Sequence, residues 1–287
     1  MPPPPNMREH ILAMFETLPL KQRRLARFFL DHEDIVAFAS ASEVAERAEA
    51  SAATVVRFCR TLGFEGYTDL QATIRAQFPQ YRTAVQKLTD RMANGSQIKS
   101  LPTQVVRVNS QNIEQTMSQV NHADLTAAAS AIIQAEQIRI FAGGLSAAAA
   151  VLAEHALTVL GFSARVCLNG GAAQALEISQ LTRRDLVMVV SIWRYLRDTV
   201  LVAQAAREVG ATCIALTDSS VAPIARLADY TFVAATEGVA HSRSLAGIFS
   251  LIDLLSAAIA TQRPQESLAV LQRIDAVYRQ NDTLWNE

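Results

Sequence analysis

Ser40-Ala-Ser-Glu-Val-Ala-Glu-Arg-Ala-Glu-Ala-Ser-Ala-Ala-Thr-Val-Val-Arg-Phe-Cys-Arg-Thr-Leu-Gly-Phe64 decides how the amino-terminal part of this 287-residue chain folds. Ser40 and Glu43 have the spacing of a capping box, in which the serine accepts a backbone N–H and the glutamate reaches back to the serine. Val44, Ala45 and Ala48 then form the apolar stripe of a two-turn helix, and Glu49-Ala50 makes a turn. Ser51 caps a second helix over Ala52–Leu62, with Val55, Phe58 and Leu62 facing a core. Gly63 supplies a left-handed stop and Phe64 the apolar contact behind it. Two short helices joined by a tight turn are what a DNA-reading helix requires, because the second must enter the major groove with its N-terminus leading. Thr54, Arg57 and Arg60 face away from the core, with Ala52 in the first turn. An arginine can bridge O6 and N7 of guanine, and Ser51 or Thr54 can hold a phosphate at the helix N-terminus. An ordinary helical hairpin with two exposed arginines has the same spacing, and spacing alone leaves both open.

Outward from this stretch, residues 6–80 read as all helix. Ile11, Leu12, Phe15 and Leu18 lie at helical spacing up to Pro19, and Leu25, Phe28, Phe29 and Leu30 mark a further helix. Pro2–Pro5 cannot join a helix and predict a short, stiff lead-in; no apolar run follows that would make a signal peptide. Residues 81–120 are polar and predict a helical connector broken near 94–102 by Gly95, Ser96 and Pro102. From residue 121 the rhythm changes. Short apolar runs at Ile138–Ala142, Ala164–Leu168, Leu186–Ile192, Thr212–Thr217 and Tyr230–Ala234 alternate with helical patterns at Ser146–Leu160, Ala172–Gln180, Arg197–Val209 and Pro223–Leu227. Strands apolar on both faces and separated by helices predict a doubly wound α/β domain built on a parallel sheet. A last helix is expected over Ser244–Ala260 and a polar tail helix over Glu266–Arg279. The expected organisation is an all-α helix-turn-helix domain over 1–80, a connector over 81–120, the α/β domain over 121–265 and a C-terminal helix or tail over 266–287.

Half of the residues are apolar and 18% are charged, so the chain can bury a sizeable core. The formal net charge is −1, and residues 1–80 carry nine Lys and Arg against ten Asp and Glu. That balance argues against a nonspecific nucleic-acid coat but leaves room for a local basic face. No segment has the roughly 20 clean apolar residues that span a bilayer. Cys59, Cys167 and Cys213 share no metal-ligand spacing, and buried free thiols in a reducing cytoplasm are expected. No cofactor and no metal are implied.

Ile138-Arg-Ile-Phe-Ala-Gly-Gly-Leu-Ser146 reads as a strand, a glycine turn and a helix start. Gly143 and Gly144 let the backbone approach an anion, and Ser146 adds a hydroxyl. A dinucleotide site would want a third glycine where Ala148 stands and an acid near Cys167-Leu-Asn169, so that reading is weak. His241-Ser-Arg-Ser244 lies at the same carboxyl end of the sheet. His241, Ser242, Arg243 and Ser244 are either ligand contacts or a solvated loop in which Ser242 or Ser244 caps the next helix.

Ser42–Ala48 followed by Ser51–Phe64 resembles the helix-turn-helix of the RpiR/MurR family of bacterial regulators, and the similarity runs on into Gly66-Tyr-Thr-Asp-Leu70. The family usually has glycine in the turn where this chain has Glu49, and a left-handed residue other than glycine costs about 1–2 kcal/mol. The segment around Gly143, together with Gly210–Asp218 and Pro223–Asp229, resembles a sugar isomerase (SIS) domain over roughly 121–262. SIS domains that bind phosphosugars carry Ser-x-Ser-Gly-x-Thr after their central strand. Here the loop reads Ser191-Ile-Trp-Arg-Tyr-Leu-Arg-Asp-Thr199, with Trp193, Arg194 and Leu196 at the serine, glycine and threonine positions. Either Arg194 and Arg197 pair with an anion while Trp193 or Tyr195 stacks on the ligand, or the site is degenerate and the loop packs on a partner subunit. The expectation carried forward is an altered site for a small anionic metabolite, a sugar phosphate, sugar acid or related carboxylate.

The resemblance implies a regulator that binds a double-stranded operator as a homodimer or higher homo-oligomer. The alternative is an isomerase-like enzyme using Glu154, His155, Glu177 or His241 as base. None of these has a visible partner at catalytic spacing, so a non-enzymatic sensor is expected.

Overall fold

The computed structural model describes residues 7–77, 85, 88, 89, 98–283 and 285. The chain divides into two compact units, Met1–Gly95 and Ser96–Glu287. The expected lead-in at Pro2–Pro5 and the glycine break at Gly95 lie outside the described residues.

The first unit holds α1 (Met7–Met14), α2 (Leu20–Asp31), α3 (Glu33–Phe38), α4 (Ala41–Arg47), α5 (Ala52–Thr61) and α6 (Tyr67–Gln77). Its core gathers Ile11, Leu25, Phe29, Val44, Val55 and Phe58, with Phe29 and Phe58 meeting edge to face at 5.2 Å. Tyr67 and Gln71 reach from α6 to the carbonyls of Val36 and Ala39, satisfying the end of α3 just before Ser40 starts α4. This gives Tyr67, in the motif that follows Gly66, a structural purpose.

The second unit opens with α7 (Leu101–Ser118) and α8 (His122–Gln134). It continues with β1 (Ile138–Ala142), α9 (Ala147–Val159), β2 (Ala164–Cys167), α10 (Gly171–Ser179), β3 (Leu186–Ser191), α11 (Arg197–Val209), β4 (Thr212–Thr217) and β5 (Tyr230–Val233). It ends with α12 (Ala246–Gln262) and α13 (Pro264–Gln280). All four strand pairs are parallel, in the order β2-β1-β3-β4-β5, with Ile138 beside Leu186 and Ser191 beside Thr217. One face of the sheet packs its alternate residues, among them Ile140, Met188 and Leu216, against α8, α9 and α12. The other face presents Phe141, Val189 and Ala215 to a cluster with Val202 and Ala206 of α11. Every strand end therefore points its carboxyl side towards one rim, and the strand order reverses between β1 and β3, where such sheets bind ligands.

Two expected elements differ. Pro102 does not break the connector; it sits in the first turn of α7, where a missing N–H costs nothing. Pro223–Leu227 is a run of turns rather than a helix, closed by Ala225 N–H to Ala222 O and Leu227 N–H to Ile224 O. The segment is too short to repay helix nucleation before Asp229 ties it back to Cys213 near the start of β4.

Candidate functional site

In the first unit the turn between α4 and α5 forms as the sequence predicts. The Ser40 N–H donates to Glu43 Oε2 at 2.7 Å and the Glu43 N–H to Ser40 Oγ at 3.2 Å. Ala50 N–H returns to Ala45 O, and Glu49 takes the left-handed conformation with φ +50°. Glu49 thus adopts the left-handed backbone that the family usually gives to glycine, a strained conformation for a residue with a Cβ. The same closure recurs after α5, where Gly63 has φ +86° and Phe64 N–H reaches Cys59 O.

Burial of Val55, Phe58, Cys59 and Leu62 turns the opposite face of α5 outward. Ser51 Oγ accepts the Thr54 N–H at 3.2 Å and lies 2.8 Å from Thr54 Oγ1, which accepts from Arg57 Nη2 at 3.4 Å. Ser51, Thr54 and Arg57 therefore form one polar edge from the helix N-terminus. Arg60 continues it, with its Nε donating to Glu65 O. Arg57 and Arg60 are exposed; Ala52 is half-buried and its neighbour Ala53 is the exposed residue of the first turn. Burial pushes the Cys59 thiol beneath this helix up to about 12.

In the second unit the expected loops meet at the β1/β3 reversal. Ser146 and Ser191 are both buried, and the Ile192 N–H donates to Ser146 Oγ at 3.2 Å. Thr217 Oγ1 donates to Ser191 O at 2.8 Å and Thr199 Oγ1 to Leu196 O at 2.7 Å. Gly144 has φ +57°, a conformation that favours glycine, whereas Gly143 is extended. A methyl group on residue 143 would collide with Leu196 Cδ1, so the leucine side chain lies directly on the glycine loop. What remains between Gly143, Gly170, Leu196 and Thr199 is a cavity of about 50 Å³. The carboxylate of Asp198 abuts Gly170 on its rim.

The loop is held shut from behind. Arg194 N–H bonds to Ile192 O at 2.7 Å around Trp193, whose φ is +65°. This is a γ-turn of the rare, strained kind, on a bulky residue. Asp218, at the end of β4, accepts the Trp193 N–H at 2.9 Å and the Tyr195 phenol at 2.8 Å. Burial raises the Asp218 carboxyl above its ordinary value, opposed by the Tyr195 and Trp193 hydrogen bonds and the charge of Arg243. The guanidinium of Arg194 lies 5.0 Å from the centre of the Trp193 ring, outside the cavity, and Arg197 is exposed. Neither arginine lines the cavity.

The 241–244 segment divides. His241 is exposed, while Ser244 Oγ accepts the Ala246 N–H at the start of α12 and donates to Asn109 on α7. Ser244 lies one residue before the N-cap, Leu245, which has no side-chain cap bond, so its hydroxyl ties down the start of α12 without being the cap. Arg243, named among the loop candidates, is buried and pairs with Glu237 at 3.3 Å. Asp218 was not singled out by sequence, although it closes the Gly210–Asp218 stretch. Of the candidate bases, Glu154 accepts the Val166 N–H and Glu177 is ion-paired to Arg139 and Arg165. Among the described residues no three His, Cys, Asp or Glu side chains gather to hold a metal ion, and no helix is long and apolar enough to cross a membrane.

Residues 5–80 match the helix-turn-helix domain of the rpiR family, and residues 131–260 match the SIS domain. An HTH-type transcriptional regulator of Caldanaerobacter subterraneus subsp. tengcongensis is 26% identical, covering 93% of this chain and 95% of its own length. Another, from Haemophilus influenzae, is 26% identical over 94% of this chain and 98% of its own. The sugar isomerase domain of an RpiR transcription factor from Sphaerobacter thermophilus is 42% identical, with a TM-score of 0.60 over 62% of this chain and 99% of that one. The Vibrio vulnificus NanR protein complexed with ManNAc-6P is 21% identical, with a TM-score of 0.69 over 98% of this chain and 100% of that one.

Proposed function

The chain belongs to the RpiR family of helix-turn-helix transcriptional regulators with a SIS domain, and on that premise we propose that α5 reads an operator while the β1/β3 rim senses a small anionic metabolite. The observation that carries the first half is the continuous edge of Ser51, Thr54, Arg57 and Arg60, which leads from a capped helix N-terminus and is turned away from the core. Arg57 and Arg60 are the base-reading side chains, with Ser51, Ala52 and Thr54 at the phosphate backbone. Alanine at both arginines should abolish binding of a fluorescent duplex taken from the protein's own upstream DNA. Retained binding would sink this assignment.

The metabolite is a sugar phosphate, a sugar acid or a related carboxylate, and the NanR protein in its ManNAc-6P complex has the same fold. Its site comprises Gly143, Gly144, Ser146 and Ser191, with Arg194 and Arg197 swinging in from the rim and His241, Ser242 and Ser244 on the neighbouring loop. Binding requires Leu196 to leave Gly143, so ligand and loop position are linked, and linkage makes ligand and DNA change each other's affinity by equal factors. The working form is a cytoplasmic homodimer or higher homo-oligomer that reads two half-sites. A ligand that raises the unfolding midpoint yet leaves operator affinity unchanged through a titration would remove the allosteric part.

A further inference from the structure

We propose that Asn112 is a positioning residue that ties the 235–244 segment, which carries the candidate contacts His241, Ser242 and Ser244, to α7, the helix that follows the boundary between the two units. On the ligand-sensing reading above, α7 then becomes an element of the second unit whose position is tied to the effector loop. The tie itself exists without ligand and is tested without one.

α7 carries Asn109, Asn112 and Thr116 at i, i+3 and i+7, a polar stripe on one side of the helix. Asn112 Nδ2 donates to Glu237 O at 2.8 Å, and its Oδ1 accepts the Glu237 N–H at 3.2 Å. Thr116 Oγ1 accepts the Ala235 N–H at 2.9 Å and donates to Asn112 O at 2.6 Å. Asn109 Oδ1 accepts the Ser244 hydroxyl at 2.7 Å. The stripe thus grips the 235–244 segment at both ends. Asn112 and Thr116 are buried, so these bonds are made away from competing water. Gly247 keeps the approach open, since a methyl there would strike both Thr116 Oγ1 and Ala235 O.

Through its charges the gripped segment acts on Asp218, which follows β4. Glu237, clasped by Asn112, is ion-paired to Arg243. The Arg243 charge acts on Asp218, and Asp218 holds Trp193 and Tyr195 in the strained loop that lays Leu196 on Gly143. The links from α7 to Arg243 and from Asp218 to the loop are hydrogen bonds and an ion pair, the charge of Arg243 joins the two, and Trp193 sits at the far end as a reporter. If Asn112 merely docked a helix, its loss would lower stability without reaching Trp193.

The chain has two tryptophans, and Trp285 lies in the exposed tail, so Trp285→Phe leaves Trp193 as the sole indole. In that background Asn112→Ala should raise the acrylamide quenching constant of Trp193 by about twofold or more, as the loop opens more often. Thr116→Val, which keeps the volume and removes the Ala235 bond, should shift it in the same direction by less. Ser130→Ala removes a bond to Gln262 elsewhere in the unit and should leave Trp193 unmoved. Unchanged quenching in both α7 variants, or an equal change in Ser130→Ala, overturns the proposal. If Asn112→Ala does not fold, Thr116→Val decides alone. None of these results bears on whether the rim binds a metabolite, so the two readings fail separately.

Discussion

The Ile192 N–H donates to Ser146 Oγ at 3.2 Å, joining the ends of β1 and β3 where the strand order reverses. Both residues are buried. Ser146→Ala leaves that N–H without its acceptor, which costs about 1–3 kcal/mol. Urea unfolding of the full chain should show this loss in the transition that belongs to the second unit. An unchanged midpoint would mean that the hydroxyl is not needed to hold the two loops together.

What the sequence made legible was whatever local chemistry specifies. The capping box at Ser40, the stop at Gly63 and all five strands stand at or within a residue or so of their expected places. Pro223–Leu227 misled because a helical pattern of that length depends on the strands either side, not on its own residues. The site was less readable. The meeting of the Ser146 and Ser191 loops could be expected from their places after β1 and β3, but nothing local to Leu196 says that its side chain covers Gly143, fifty-odd residues earlier. Asp218 carries a readable signal of its own, an acid following an apolar strand at the carboxyl rim of the sheet. Asn112 and Thr116 showed only a polar face on a helix, and their partners lie more than a hundred residues away.

Glu49 occupies the left-handed position that closes the α4–α5 turn. Its ion pair with Arg24 spans 3.4 Å between two exposed side chains and contributes little. Glu49→Gly should therefore stabilise the first unit by about 1 kcal/mol through relief of the positive φ. Thermal unfolding checks the gain, and operator affinity should be unchanged because the helices keep their angle. A loss of stability would show that Glu49 is held by more than the turn.

The Asp218 carboxyl is raised by burial, so the folded chain takes up its proton at a higher pH than the unfolded chain. Its contribution to stability is then fully present below the unfolded pKa and is lost as pH rises through the folded value. Asp218→Asn cannot ionise and lacks that slope, although it loses one of the two bonds to Trp193 and Tyr195. The stability of wild type minus that of the variant should rise as the pH is lowered from about 7 to about 4. A difference that stays flat over that range would show that Asp218 titrates alike in both states.

Leu196, the N-cap residue of α11, covers Gly143. Leu196→Thr shortens the side chain and returns a hydroxyl to a helix N-terminus that an anion can use. Inorganic phosphate should then bind at least about tenfold more tightly than to wild type, a gain of about 1.4 kcal/mol, read by calorimetry in a phosphate-free buffer. Equal affinities would place the barrier to phosphate elsewhere, in Trp193 or Arg194.

Arg57 offers the sharpest separation of reading from mere attraction. Its guanidinium is exposed and steadied from one side by Thr54 at 3.4 Å. Arg57→Lys keeps the charge but loses the planar fork that can bridge two acceptors on one base. If Arg57 reads guanine, the lysine variant should lose about 1–3 kcal/mol on the operator and almost nothing on a scrambled duplex. Its dependence on salt should match wild type, because the number of phosphates neutralised is unchanged. Arg57→Ala should lose the operator affinity as well, but with a shallower salt slope if the residue also lies near the backbone. Anisotropy titrations of both duplexes at several salt concentrations separate these outcomes. A lysine variant that binds the operator as well as arginine does would make Arg57 a phosphate contact and leave sequence reading to Arg60 and Thr54.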